Sequence, residues 1–282
     1  MIDGGRLMVV MRQALTEFLA AKFPRHRFEF TSLDELNSVQ QSAIPDGWHE
    51  FVGGDGSVTA EQVADIWHRA LPGKFPRYLE TFKELDGTAF LVRSTDLDTG
   101  ISEPAAIYAC DSQSRLLEEF DARVGYFNAN AGRDLQFWSK MPAGLQKFYH
   151  MISDGFLDST GAGMVRSAEM IPLASPLGNP TDRSLLRNQR GLLNPANIEY
   201  VGFNSDGGEI YLSEDARPDI SKLVTVCTNR GFAYVLVDVT DSASQGTPWE
   251  WWSGPTDGSL ETVVDLWSDL DEWLTQLFDF RK

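Results

Sequence analysis

Cysteine is nearly absent from this chain. Its 282 residues include only Cys110 and Cys227. Each sits in an apolar run, so no disulfide framework is expected and both thiols read as buried packing groups. Such cysteine usage fits a reducing, cytoplasmic setting. Histidine is scarce too. His26, His49, His68 and His150 never stand at metal-ligand spacing with another His, Cys or carboxylate. No metal and no cofactor is expected, and each histidine reads as a surface or packing residue. Positive charge is also in short supply, with 24 Lys and Arg against 41 Asp and Glu and a formal charge of −17. That balance argues against a nucleic-acid binder, which would show a basic face, and against docking on an anionic membrane surface. No apolar run approaches the length of a transmembrane helix. The stretch Met1–Phe23 has neither the basic start nor the long apolar core of a signal peptide.

The common catalytic signatures are missing as well. There is no Gly-x-Ser-x-Gly nucleophile elbow and no dinucleotide fingerprint after a strand. The loop Gly53–Ser57 lacks the lysine and the spacing of a phosphate-binding loop. Asp96-Leu97-Asp98-Thr99-Gly100 with Glu103 alternates carboxylates as calcium loops do, but lacks the third carboxylate and the full length, so it reads as a solvated turn. No catalytic residue is nominated, and the chain is read as a non-enzyme.

What is present is a large apolar inventory. The hydrophobic fraction is 42%, with eight Trp and 17 Phe, too much for a disordered acidic tail. Apolar residues recur at helical spacing from Leu7 to Leu19, and Pro24 ends that helix. His26–Phe30 alternates as a strand does. Weak helix signals cover Leu33–Gln41, and Trp48–Val52 reads as a strand after a Pro45-Asp46-Gly47 turn. Thr59 caps a helix that buries Val63, Ile66, Trp67 and Ala70. A second helix spans about Phe75 to Leu85, and strands follow at Thr88–Arg93 and Ala105–Cys110. Ser112 or Ser114 is expected to open a longer helix carrying Leu116, Leu117, Phe120, Val124 and Phe127. Pro142 sits at the first turn of another helix, which Asp154-Gly155 stops. A strand-rich half follows, with strands at Glu169–Leu173, Ile198–Phe203, Glu209–Leu212, Leu223–Thr228 and Phe232–Val239. Turns at Asp206-Gly207-Gly208 and Asn229-Arg230-Gly231 suggest an antiparallel meander. Ser259 reads as the N-cap of a closing helix that begins at Leu260 and whose apolar face includes Trp267, Leu270, Trp273 and Leu274.

From Trp138 to Phe156 the chain reads Trp-Ser-Lys-Met-Pro-Ala-Gly-Leu-Gln-Lys-Phe-Tyr-His-Met-Ile-Ser-Asp-Gly-Phe. This resembles the opening of the SUKH superfamily, the Smi/Knr-like proteins. The resemblance continues through Gly161-Ala162-Gly163-Met164 into Ile171-Pro172-Leu173. Val201-Gly202-Phe203 with Asp206-Gly207-Gly208-Glu209-Ile210-Tyr211-Leu212 is similar to the family's central hairpin. Leu260–Phe278, with Leu266 and Trp273-Leu274, is similar to its closing helix. The likeness covers about residues 130–282. It departs from the family at the insertion Leu177–Pro195 and leaves the first 130 residues unexplained. The expected organisation is an α+β fold, with an α/β region over 1–130 and a SUKH-like domain over 131–282. The first region is either a domain of its own or an elaboration on the same sheet.

The resemblance implies binding rather than catalysis. Bacterial members act as immunity proteins that neutralise a toxin by stoichiometric contact. Many such toxins are nucleases with basic clefts, which carboxylates can fill in place of phosphates. The charge distribution fits. Asn204–Glu272 holds 14 acidic and three basic residues, a balance of −11, which leaves −6 for the rest. Trp249-Glu250-Trp251-Trp252 reads as an aromatic, acid-flanked loop suited to anchor an interface. The nominated contact residues are Asp206, Glu209, Glu214, Asp215, Glu250, Trp251, Trp252 and Asp257. The expected partner is a basic protein toxin, with no nucleic acid and no membrane. One rival is an intracellular scaffold or regulator of the same superfamily. Another is a hydrolase using the N-terminal region, which would need a cleft with convergent carboxylates or a histidine of perturbed pKa.

Overall fold

The computed structural model describes residues 4–111, 120–174, 187–188, 191–192, 195–204, 206–229, 233–241, 243, 245–254 and 258–279. Helix α1 (Gly4–Lys22) leads into strand β1 (His26–Phe30). Two short helices follow, α2 (Ser38–Ala43) and α3 (Asp46–His49). α3 replaces the strand expected at Trp48–Val52. Pro45 starts a helical turn rather than a hairpin, the Trp48 N–H donates to the Pro45 carbonyl at 2.9 Å, and the turn buries the indole. Strand β2 (Ser57–Thr59) runs into α4 (Ala60–Ala70). Thr59 caps α4 as expected, with Gln62 returning the bond to the Thr59 N–H. α5 (Pro76–Glu84) follows, then the long pair β3 (Thr88–Asp96) and β4 (Ser102–Asp111).

Phe120–Tyr126 is strand β5, not the helix expected there; the segment expected to open that helix lies outside the described residues. All seven residues of β5 are buried. Phe120 and Val124 lie four apart, a spacing that a helix and a strand both place on one face, so periodicity alone misassigned them. α6 (Ala143–Met151) starts after Pro142 as expected. It ends before Gly155, whose φ of +89° suits glycine.

Beyond α6 come β6 (Phe156–Asp158), β7 (Gly163–Met164) and a small separate hairpin, β8 (Arg187–Asn188) and β9 (Gly191–Leu192). The rest of the insertion Leu177–Pro195 lies almost wholly outside the described residues. β10 (Ile198–Phe203), β11 (Glu209–Tyr211), β12 (Leu223–Thr228) and β13 (Ala233–Asp238) lie close to the expected spans. They do not form the expected meander: β12 pairs with β7 and β13, while β10 lies parallel to β15 and β11 ends the sheet. Glu169–Leu173 forms no full strand: Glu169 ends a helical turn, Pro172 makes an isolated bridge to Val224, and the Ile171 N–H donates to the Thr225 hydroxyl instead of a main-chain carbonyl. Trp249–Trp252 lies inside β14 (Pro248–Ser253), not in a loop, and β15 (Gly258–Thr262) occupies the start of the expected closing helix. That helix, α7 (Leu266–Asp279), begins later. Asp265 caps it, accepting from the N–H groups of Trp267 and Ser268 at 2.9 and 2.8 Å. Val264, expected on its apolar face, is 95% exposed.

Thirteen of these strands build one sheet in the order β1-β3-β4-β5-β6-β7-β12-β13-β14-β15-β10-β11, with β2 also paired to β3. Every described pair is antiparallel except β10 with β15. The chain is thus α+β, and its sheet crosses residue 130 without interruption through β5 and β6. Alternation assigns the faces. Ala89, Leu91, Ala106, Tyr108, Val224, Val226, Val235 and Val237 point to a core shared with α4, α5, α6 and α7. Their neighbours Phe90, Val92, Ala105 and Ile107 point the other way, under α1. Leu223 and Leu236 do the same at the far end, beneath the segments around Leu173 and Ile220. Among the described residues the second face is therefore covered at both ends and open between them.

One contact ties distant parts of the chain together. Phe75, before α5, has a φ of +58° and supplies no side-chain cap. The buried Asp271 of α7 accepts instead from the N–H groups of Arg77 and Tyr78, at 3.0 and 2.9 Å.

Candidate functional site

Two regions offer chemistry. The first is the helix-covered face at the β11 end of the sheet. Here Glu250 of β14 stands opposite Glu261 of β15. Glu261 is paired with Val201 of β10, and Val201 with Tyr211 of β11. Registered residues share a face, so these four form one row across four strands. The same face carries Trp252, opposite Ser259, and the pair Phe203 and Glu209. Trp252 is 41% exposed and Tyr211 79%.

Of the nominated residues, the fold brings Glu209, Glu250 and Trp252 onto this one face. Asp206 sits at the exposed tip of the β10–β11 hairpin, where the Asn204 side chain accepts from its N–H at 3.0 Å. Glu214 and Asp215 occupy an exposed turn just after β11. Asp257 lies outside the described residues. Trp251 is corrected. It has no exposed surface and cannot anchor a partner. It points to the opposite face, into the cluster with Trp249, Leu236 and Leu260. Its ring lies over Gly258, where an added Cβ would sit 2.1 Å from it. The alternation of Trp249-Glu250-Trp251-Trp252 carried the signal that separates Trp251 from Trp252, once the segment is a strand.

The electrostatics of this face are unfavourable by construction. Like charges directly opposed across a sheet repel, and Asp269 of α7 adds a third carboxyl beside Glu250. The Glu250 carboxylate accepts from the indole N–H of Trp273 at 2.8 Å and of Trp252 at 3.2 Å. Burial still raises its pKa. Asp269 is pushed up to about 7, by burial first and then by the charges of Glu250 and Glu272. Among the described residues no Lys or Arg pairs with Glu250, Glu261 or Asp269. Sequence reading missed Glu261, Asp269 and Trp273, because their approach depends on the β14–β15 register and on the docking of α7.

The second region is the open middle of the other face, a cleft of about 920 Å³. Val124, Leu157, Thr225 and Tyr234 are among its lining residues, and the chain around Phe23 contributes from the end of α1. Arg166 holds Glu103 through two bonds of 2.7 Å and stacks on the Tyr126 ring at 4.1 Å. Burial opposes its charge, but Glu103 outweighs that and its pKa rises. Behind it the fully buried Asp154 accepts from Asn128 Nδ2 at 2.9 Å and from the Ser167 N–H at 2.8 Å. His26 lies beside Tyr126. Burial lowers its pKa, with Arg166 and Arg25 acting the same way and Asp96 and Glu103 against.

His26 thus meets the histidine condition set for the hydrolase rival. Its Nδ1 lies 3.4 Å from Ser94 Oγ, but Ser94 is itself buried and cannot meet a substrate as a nucleophile. The β3–β4 connection is a turn held by Asp96, whose Oδ1 accepts from the N–H groups of Asp98 and Thr99. Among the described residues, no group of three or more His, Cys, Asp or Glu side chains is placed to hold a metal ion, and no helix is long and apolar enough to cross a membrane. Comparisons with protein-family models, with curated proteins and with solved structures found no match to this chain.

Proposed function

We propose that this chain is a binding protein that neutralises a basic protein partner by stoichiometric contact through the acidic, aromatic face formed by β14, β15, β10 and β11. An immunity protein against a nuclease-type toxin, in the manner of the SUKH superfamily, is the reading that joins this face to the pattern at Trp138–Phe156. One observation carries it. Glu250, Glu261 and Asp269 are held together without a pairing Lys or Arg among the described residues, next to the exposed rings of Trp252 and Tyr211. Intramolecular repulsion of that kind destabilises the free protein, and an incoming cation relieves it. Exposed aromatics beside it supply the apolar contact that dominates interface energies. Complementary charge speeds encounter and makes the rate salt-dependent.

Co-expression with the toxin encoded beside its own gene tests the reading. Protection and a 1:1 complex are expected. A chain that protects against no neighbouring toxin and binds none overturns it. Changing Glu209 and Glu261 together to Lys should slow association at least tenfold at low salt, and Trp252→Ala should speed dissociation. An unchanged association rate in the double variant removes this face from the mechanism.

A further inference from the structure

The sheet ends at β11, and among the described residues that end is open. The Leu212 N–H donates to the Tyr200 carbonyl and the Asn204 N–H to the Gly208 carbonyl, both at 2.9 Å. Bonded positions alternate along an antiparallel pair. Ile210, opposite Gly202, is therefore the inward-bonded residue of β11, while Glu209 and Tyr211 turn their own N–H and C=O groups away from β10. Among the described residues no strand pairs with that outer side.

Native sheets blunt such edges with proline, lysine or a bulge. β11 has none of these, although it is short and carries one charge, Glu209. Its sequence is Glu-Ile-Tyr, and all three residues are exposed. The opposite end differs, because β1 carries Arg27 and Glu29, paired with each other at 3.2 Å. Around β11 the exposed charge is mainly acidic, from Asp206, Glu209, Glu214 and Asp215, against one cation, Arg217, which lies over the Tyr200 ring and reaches the Leu212 carbonyl. A second copy would bring the same four carboxylates against these, so self-pairing is electrostatically opposed. A basic chain meets no such opposition. Its main chain can bond to Glu209 and Tyr211 while its alternate side chains reach the acidic face.

We propose that the outer edge of β11 receives an extended, basic segment of the partner as an added strand. This rests on the reading of the acidic face as the partner surface, and it specifies how the partner docks.

The probe is a synthetic heptapeptide alternating lysine and valine, titrated into the isotopically labelled full chain and followed by NMR. The amides of Glu209 and Tyr211 should shift most, with cross-strand contacts from peptide main chain to Glu209 and Tyr211. Affinity should fall as salt rises, and a glutamate–valine peptide should not bind. Compared with Tyr211→Ala, which loses the ring but keeps the N–H, Tyr211→Pro reports the outward N–H, since proline is tolerated on an edge strand. It should raise the peptide Kd at least tenfold. The cross-strand contacts in the unsubstituted chain decide the matter even if that variant does not fold. Shifts centred on Glu250 and Trp252 with none at β11 overturn the added strand while leaving the face as the partner surface. No binding at all also overturns it, and the co-expression experiment then judges the functional reading separately. A dimer of the free chain that Tyr211→Pro dissolves overturns it in favour of self-pairing.

Discussion

Asp269 is ionised only above about pH 7 in the folded chain, because burial and Glu250 oppose its charge. In the unfolded chain it titrates near the ordinary aspartate value. Between those values the folded state binds the extra proton, so its contribution to stability is present at low pH and is lost as pH rises towards 7. Asp269→Asn should therefore raise Tm at pH 8 and leave it nearly unchanged at pH 4, as scanning calorimetry can record. His26 works in the opposite direction. Its lowered pKa means that stability is lost as pH falls below the ordinary imidazole range. Denaturant melts from pH 7 to 5 should show a shallower decline for His26→Gln. In the cleft wall, Glu103→Gln leaves a largely buried guanidinium short of its partner and should cost about 3 kcal/mol, measured by urea unfolding. None of these three roles was legible locally. His26 is a lone histidine in a strand, and Arg166 and Glu103 lie 63 positions apart.

Elements were legible where one local rule decided them. β1, expected from its alternation, and β10 and β12, expected from their β-branched and aromatic residues, have the expected spans, and the Thr59–Gln62 capping box marks the start of α4. Thr59→Ala should lower stability by about 1 kcal/mol. Legibility failed where two rules coincide or a distant partner decides. The four-residue spacing of Phe120 and Val124 suits either period, and burial of β5 on both faces settles it as strand. The run Leu260–Val264 looked continuous with α7, yet pairing with β14 takes Gly258–Thr262 into the sheet. The same pairing turned Trp251 inward and left Trp252 outside, so of these two rings only Trp252 is exposed. The cap on α5 was illegible for the same reason, since its acceptor comes from α7. Asp271→Ala strips one buried and one part-buried N–H group of their acceptor and should cost about 2–3 kcal/mol, more than the loss of Thr59.

The molecule as a whole is organised around one sheet and one large shared core. Trp67 and Tyr78 pack with Phe148, Phe156 and, through Phe75, Trp267. The sheet runs from the 1–130 region into the rest through the pairing of β5 with β6. Circular dichroism and tryptophan fluorescence should report coincident unfolding transitions, and a fragment ending at Asn130 should fail to fold alone. Two separated transitions would show that the halves unfold independently. The Asp271 contact gives this unity a time axis. The carboxylate that completes the first turn of α5 is synthesised 193 residues after Tyr78. At about 5–20 residues per second, that is a wait of roughly 10–40 s on the ribosome. For that interval the aromatic cluster around Trp67, Phe75 and Tyr78 lacks its cover from α7, and the nascent chain is a natural client for chaperones.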